Sequence, residues 1–190
     1  MSSILKLPVN LVTKDNINQW LIEPPHPAVE FLSDVHKSDY YRIYFLYHYG
    51  GAYTDVKPMV RRWDNQFKHF SNPEVWVLGV PEIPNGQGVK PGKSYPKDFY
   101  KRMVSNGFYI ARSKTRLFKQ IQDEQHKILD ERFEDLKNHP PPFSRCCMHG
   151  EGGYPLRWTE LLGEIQTDAV DKYNSHVLQT LEMPDLSNYM

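Results

Sequence analysis

Three observations predict an α/β layered fold, with a mixed sheet packed against helices in a single domain. Short apolar runs are bounded by glycine and proline, the stretches between them repeat apolar residues at helical spacing, and 190 residues suit one core. A body of that size buries roughly 70% of the surface its unfolded chain exposes. Val9 to Val12 reads as a short strand, and Thr13-Lys14-Asp15-Asn16 as a turn or helix start leading to Ile17, Trp20 and Leu21. Lys37-Ser38-Asp39 can cap a helix to about Tyr49: Ser38 is a good N-cap, Asp39 suits the positive end of the dipole, and Gly50 suits the stop. Ile43, Leu46 and Tyr47 share one face of it. Ala52 to Val56 fits a short strand, Val75 to Val80 a buried one and Gly107 to Ala111 another. Phe118, Ile121, Ile128, Leu129, Phe133 and Leu136 predict one long amphipathic helix over Arg116 to Asn138, and a last helix is expected to start near Trp158. The loops are marked by Pro24 to Pro27, Pro81 to Pro96, Pro140 to Pro142 and Gly150 to Pro155.

Charge excludes several function classes. Lys plus Arg and Asp plus Glu both number 23, so no net field draws the protein to nucleic acid, an anionic membrane or a polyanion. Recognition is then local. Twelve tyrosines and four tryptophans offer ring faces beside polar groups, which suit carbohydrate or base stacking as well as core packing. The cysteines are the neighbours Cys146 and Cys147, which fit ordinary disulfide geometry poorly and point to a reducing compartment. Met1 to Val12 lacks a basic start and a continuous apolar run, and no stretch of about 20 apolar residues occurs. These features predict a soluble protein, cytoplasmic or on the cytoplasmic face of a membrane, without a signal peptide or an integral membrane segment.

The richest chemistry lies between Ser38 and Lys57: Ser-Asp-Tyr-Tyr-Arg-Ile-Tyr-Phe-Leu-Tyr-His-Tyr-Gly-Gly-Ala-Tyr-Thr-Asp-Val-Lys. It reads as a capped helix, a glycine pair, a short strand and an acid at the strand tip. Ligands of α/β sheets sit beyond the carboxyl ends of strands, where Asp55 is expected. Gly50 and Gly51 permit a sharp turn and close approach of the backbone to a ligand. Asp39 can accept from ribose hydroxyls or brace a neighbouring loop. Arg42, one turn on, can pair with Asp39 as an intrahelical ion pair or with a phosphate.

The segment resembles the glycosyltransferases with a DXD-containing sugar-binding region and the related capsular polysaccharide synthesis proteins. The shared pattern falls on Ser38, Asp39, Arg42, Leu46, Tyr47, Gly50, Gly51, Ala52, Tyr53 and Asp55, a dense match over about twenty residues. Weaker similarity runs through Pro8 to Val12, Asn106-Gly107-Phe108 and Tyr154 to Trp158. The resemblance implies a GT-A-like fold with a mixed, mostly parallel sheet flanked by helices. It also implies transfer of a hexose or deoxyhexose from a nucleoside-diphosphate sugar, UDP-linked, to a hydroxyl of a glycan or glycoprotein. Ser38, Asp39, Arg42, Gly50, Gly51, Tyr53 and Asn106 are the implied donor-binding residues, and Mn²⁺ or Mg²⁺ on Asp55 the implied cofactor; His149, in the polar loop to Tyr154, is a further donor-binding candidate that can contact the diphosphate or a metal. The family's first strand and helix, which help hold the base, precede the Pro8 to Val12 equivalent, so part of the base pocket is expected to be missing, replaced or supplied by a longer polypeptide.

The second acid of the motif is Lys57. Either a metal is held by Asp55 with donor phosphates and water, or Lys57 partly replaces the cation and steadies the departing diphosphate; a solvated lysine is the plain alternative. Glu82, past the Val75 to Val80 strand, and Glu151, in the loop from His149 to Tyr154, are candidate acids for acceptor activation, and the Pro84 to Tyr95 loop is expected to help admit the acceptor. Cys146-Cys147-Met148-His149 lacks paired zinc-ligand spacing, and no phosphate-binding loop or nucleophile elbow occurs. Two rival functions share the motif: a non-catalytic nucleotide-sugar or glycan-binding module, and a metal-dependent phosphohydrolase using Asp55.

Overall fold

A computed structural model describes residues 1–57, 59, 61–143 and 151–184. In chain order the regular elements are α1 (Ser2–Leu5), α2 (Asp34–His48), β1 (Gly51–Thr54), β2 (Val77–Pro81), β3 (Val104–Ala111), α3 (Arg116–Glu131), α4 (Phe133–Asn138), α5 (Gly163–Lys172) and β4 (Val177–Leu178). Short 3₁₀ turns, among them Ile17–Trp20 and Pro27–Phe31, join them.

The described strands form one sheet in the order β1-β3-β2-β4. Both β1 and β2 run antiparallel to β3, with Gly51 and Val77 on either side of Ala111, and β2–β4 is the parallel pair. The expected mostly parallel sheet is therefore replaced by a small, largely antiparallel one. The reason lies in the connections: the segment from β2 to β3 carries no α-helix, so the chain doubles back. Because β3 carries the chain back to the starting end of β2, β4 follows α3, α4 and α5 and runs parallel to β2, opposite in direction to β3. Val9 to Val12 does not form the expected strand; Val9 and Leu11 are exposed and pair with no described strand. The predicted Arg116 to Asn138 helix is broken at Arg132, whose backbone leaves the helical region at φ −105, ψ 4. The last helix begins at Gly163, five residues beyond Trp158.

β3 shows the strand period directly. Tyr109 and Ala111 face a core shared with Ile43, Leu46, Leu117, Phe118 and Ile165, while Phe108 and Ile110 face a second core with Trp63, Leu78 and Val80. A third core joins Tyr40 and Tyr44 of α2 to Leu129, Leu136, Tyr154 and Leu161. Two faces of α2 are thus buried, which explains why its sequence shows a weak apolar stripe.

The helix α2 starts earlier than expected. Two Ser-Asp pairs stand five positions apart, Ser33-Asp34 and Ser38-Asp39, and the first is the cap: the Ser33 hydroxyl accepts from the His36 amide. His36 anchors this end. Its Nε2 donates to the Arg157 carbonyl and its Nδ1 accepts from the Tyr154 hydroxyl, at 3.2 and 2.9 Å, and burial holds its pKa down to about 4. Ser38 is consequently a mid-helix residue, one turn below Arg42.

Candidate functional site

α2 ends at His48, and Gly50 and Gly51 follow with φ of +67 and +82. Gly50 has a second constraint, since a Cβ there would lie 2.6 Å from the Ser113 amide nitrogen and 2.8 Å from the Ala111 carbonyl. Around Gly51 there is open space. The turn sends β1 back along α2, so that Asp55, immediately after the strand, comes to lie opposite Ser38 and Arg42. An open cleft of about 1740 Å³ runs past them, walled by α2, by β1 and its following loop, and by the N-terminal segment.

The side chains form one connected group. Arg42 Nη2 lies 3.2 Å from Asp39 Oδ1 and 3.7 Å from Asp55 Oδ1, and it also donates to the Ser38 hydroxyl. Its Nη1 donates to the Asn106 carbonyl, and its guanidinium sits over the Tyr53 ring at 4.7 Å. Tyr53 in turn donates its hydroxyl to Asp55 Oδ1 at 3.0 Å. The Asp55 backbone amide is fixed on the Gly107 carbonyl at 2.9 Å, and Oδ2 rests where Gly107 has no side chain: a Cβ there would be 2.9 Å away. The intrahelical Asp39–Arg42 pair and the contact of Arg42 with Asp55 therefore coexist in one network.

Burial orders the charges. The Asp39 carboxyl is pushed up to about 6 by desolvation, against the pull of Arg42 and with a further push from Asp55. Burial alone would lower the Arg42 guanidinium, yet Tyr53, Asp39 and Asp55 around it raise it above the ordinary arginine range. Desolvation holds the Tyr53 hydroxyl at about 12, so it stays a proton donor to Asp55. Asp55 is the more accessible of the two acids, its side chain 29% exposed against 10% for Asp39.

Ser38, Arg42, Gly50, Gly51, Tyr53, Asp55 and Lys57 all line the cleft, and Asp39 stands behind them on Arg42. Asn106 enters the group through its carbonyl, while the residue itself lines a separate cavity of about 10 Å³ with Glu82, room for about one water molecule. Glu82 does not line the cleft; its carboxylate accepts from the Ile83 amide, and burial raises its pKa. Glu151 sits in the turn Glu151–Gly153 beside Tyr154 and likewise does not line the cleft. The Pro84 to Tyr95 loop is tied elsewhere: Lys90, Lys93 and Tyr95 converge on Asp168 of α5, and Gly88 packs on the Gly163 backbone. The structure thus places these acids and this loop away from the Asp55 cleft. His149 and both cysteines lie outside the described residues.

Sequence reasoning passed over two features. Gly107 is one, a position whose missing side chain gives Asp55 its place. The other is an aromatic wall, Tyr41, Phe45 and Tyr49, lining the cleft beside Trp20, whose carbonyl accepts from the Tyr49 hydroxyl. The Tyr41 and Phe45 rings stack at 6.1 Å, and the four-residue spacing along α2 was the available signal.

A divalent ion held by the protein does not fit these side chains. Asp55 Oδ1 is taken by Tyr53 and Arg42, Asp39 is taken by Arg42, position 57 is a lysine, and no three His, Cys, Asp or Glu side chains gather suitably among the described residues. Among the described residues no helix is long and apolar enough to cross a membrane.

Comparison with known proteins agrees with the geometry. Residues 9–69, about a third of the chain, match the family described as glycosyltransferase sugar-binding region containing DXD motif. The match spans the whole of α2, the glycine turn, β1 and Asp55. It supports a glycosyltransferase assignment, and with it a glycosyl-transfer or sugar-binding role. DXD motifs usually bind a divalent metal, and here only the first acid of the pair is present. No curated protein and no solved structure matches the chain.

Proposed function

We propose that this chain, whose residues 9–69 carry a glycosyltransferase sugar-binding region, transfers a sugar from a nucleoside-diphosphate donor, UDP-linked, to a hydroxyl of a glycan or glycoprotein. One observation carries the reading: Asp55 stands at the tip of β1, braced by Tyr53 and the Gly107 carbonyl, in the wall of the cleft that Arg42 and Lys57 also line. In this scheme the rings of Trp20, Tyr41 and Phe45 take the nucleobase, and Ser38 and Arg42, the latter set in place by Asp39 behind it, hold the ribose and phosphate side. The bond from the anomeric carbon to the diphosphate oxygen breaks with its electron pair left on the diphosphate. The acceptor oxygen bonds to that carbon, and its proton passes to solvent. Fixed positive groups aimed at the leaving diphosphate meet the charge as it grows, and loss of one such group costs on the order of a hundredfold in rate.

The test is Asp55→Asn, which keeps the side chain's shape and removes its charge. Turnover of a UDP-sugar panel on glycan acceptors should fall at least about tenfold, because the carboxylate that orients Arg42 and Tyr53 at the cleft loses its charge, while the circular dichroism spectrum is unchanged. Normal product formation by this variant would refute the role of Asp55. Lys57 in place of the second acid favours a second reading, a module that binds nucleotide sugar without transferring it. Donor binding with no glycoside formed on any acceptor would identify it. The phosphohydrolase alternative needs a metal-ligand cluster, and no group of three His, Cys, Asp or Glu side chains gathers suitably among the described residues.

A further inference from the structure

We infer that this site binds its nucleoside-diphosphate donor without a divalent cation, because Lys57, with Arg42 behind it, supplies the positive charge that a metal ion supplies to a two-acid motif. The inference rests on the donor reading above and specifies how that site neutralises the diphosphate.

Charge counting carries the first step. With an acid at position 57, the site would hold three carboxylates, at 39, 55 and 57, and one guanidinium, a net charge of about −2 that a dication brings to zero. Lysine at position 57 changes the count by +2, the same amount the dication would add. The site as it stands has two acids, Asp39 and Asp55, and two cations, Arg42 and Lys57, and is neutral without any ion. A diphosphate entering it meets no uncompensated carboxylate field.

Geometry carries the second step. The Arg42 guanidinium stands between the two acids, 3.2 Å from one and 3.7 Å from the other, and burial behind α2 keeps it there. A metal ion on Asp55 Oδ1 would have to displace both this contact and the Tyr53 hydroxyl. Lys57 lines the cleft two residues beyond Asp55, with its amide nitrogen on the Asp55 carbonyl at 2.8 Å. The backbone turn therefore fixes the stem of Lys57 beside the acid. An ammonium on a flexible stem is a compact point charge, suited to phosphate oxygens in the way of phosphate-loop lysines.

Titration calorimetry of the full chain with UDP, and with GDP, CDP and ADP in parallel, in 1 mM EDTA and then in 1 mM Mn²⁺, tests this. The wild-type affinity for the nucleotide that binds is expected to agree within about twofold between the two conditions. Lys57→Asp, which recreates the two-acid motif, is expected to weaken binding at least tenfold in EDTA and to regain it with Mn²⁺. Lys57→Ala, measured alongside with thermal denaturation to show that each variant is folded, should lose at least tenfold in both conditions. Wild-type binding that collapses in EDTA overturns the inference, and so does a folded Lys57→Ala that binds like wild type. Absence of binding by the wild type in both conditions overturns the nucleotide-donor reading itself, an outcome separate from metal-dependent binding.

Discussion

Replacing Arg42 with methionine keeps the unbranched stem and removes the charge that Asp39 and Asp55 share. The partner that suffers most is Asp39, 10% exposed and already raised from 3.8 to about 6. Without the guanidinium its carboxyl takes up a proton at pH 7. For the wild type at pH 7 the gap between pH and pKa is about one unit, so forcing protonation adds about 1.4 kcal/mol to the cost of folding. The Asn106 carbonyl loses its donor, worth about 1–3 kcal/mol when left unpaired in a buried place. Asp55, 29% exposed and 3.7 Å away, adds little. The total is about 2.5–4.5 kcal/mol at pH 7. The sign with pH follows from linkage: the Asp39 pKa in the folded wild type lies above its unfolded value, and in the variant higher still. The folded state therefore binds the excess proton in both proteins by pH 5, and the protonation share of the penalty disappears there. Urea unfolding at pH 7 and pH 5 should show the difference between the two proteins narrowing by about 1.4 kcal/mol. A difference that is constant or widens toward pH 5 would refute the coupling of Asp39 to Arg42.

Two further substitutions probe the backbone. Gly107→Ala places a Cβ 2.9 Å from Asp55 Oδ2, so donor binding measured by calorimetry should drop at least tenfold while the chain still unfolds cooperatively; unchanged affinity would mean that the Asp55 carboxylate is not held against Gly107 when ligand binds. Gly50→Ala combines a φ of +67 with a collision against the Ser113 and Ala111 backbone and is expected to lose about 3 kcal/mol or more, whereas Gly51→Ala, at φ +82 in open space, should lose about 1–2 kcal/mol. Equal losses by urea unfolding would show that the turn relaxes around Gly50.

What could be read from the chain divides along the range of the interactions. The helix, the glycine pair, the short strand and the acid at its tip were legible because each is set by neighbours within a few residues. The cap was misplaced because Ser33-Asp34 and Ser38-Asp39 carry the same local signal. What separates them is tertiary: buried His36 reaches Tyr154 and Arg157 more than a hundred residues away. Strand pairing was illegible for the same reason. Val9 to Val12 has the composition of a strand and no described partner, while Val177–Leu178, two residues long, finds β2. Within the cleft, the proximity of Asp55, Arg42 and Tyr53 was legible because one turn brings them together. Glu82 and Glu151 lie away from the cleft, a placement that loop composition does not disclose, since it does not say which side of a sheet a loop will occupy. Gly107 left no signal of its own, since its role is to be absent where Asp55 needs room.

The three-sided use of α2 has a consequence for how this chain can vary. Tyr40 and Tyr44 serve one core, Ile43 and Leu46 another, and Ser38, Tyr41, Arg42 and Phe45 face the cleft. Each residue turns the helix by about 100°, so inserting or deleting a single residue between Ser33 and Tyr49 would swing all three sets out of place at once. No side of this helix is left over to absorb such an error. Length here is a fixed quantity, and divergence is confined to substitutions that respect the direction each position already faces.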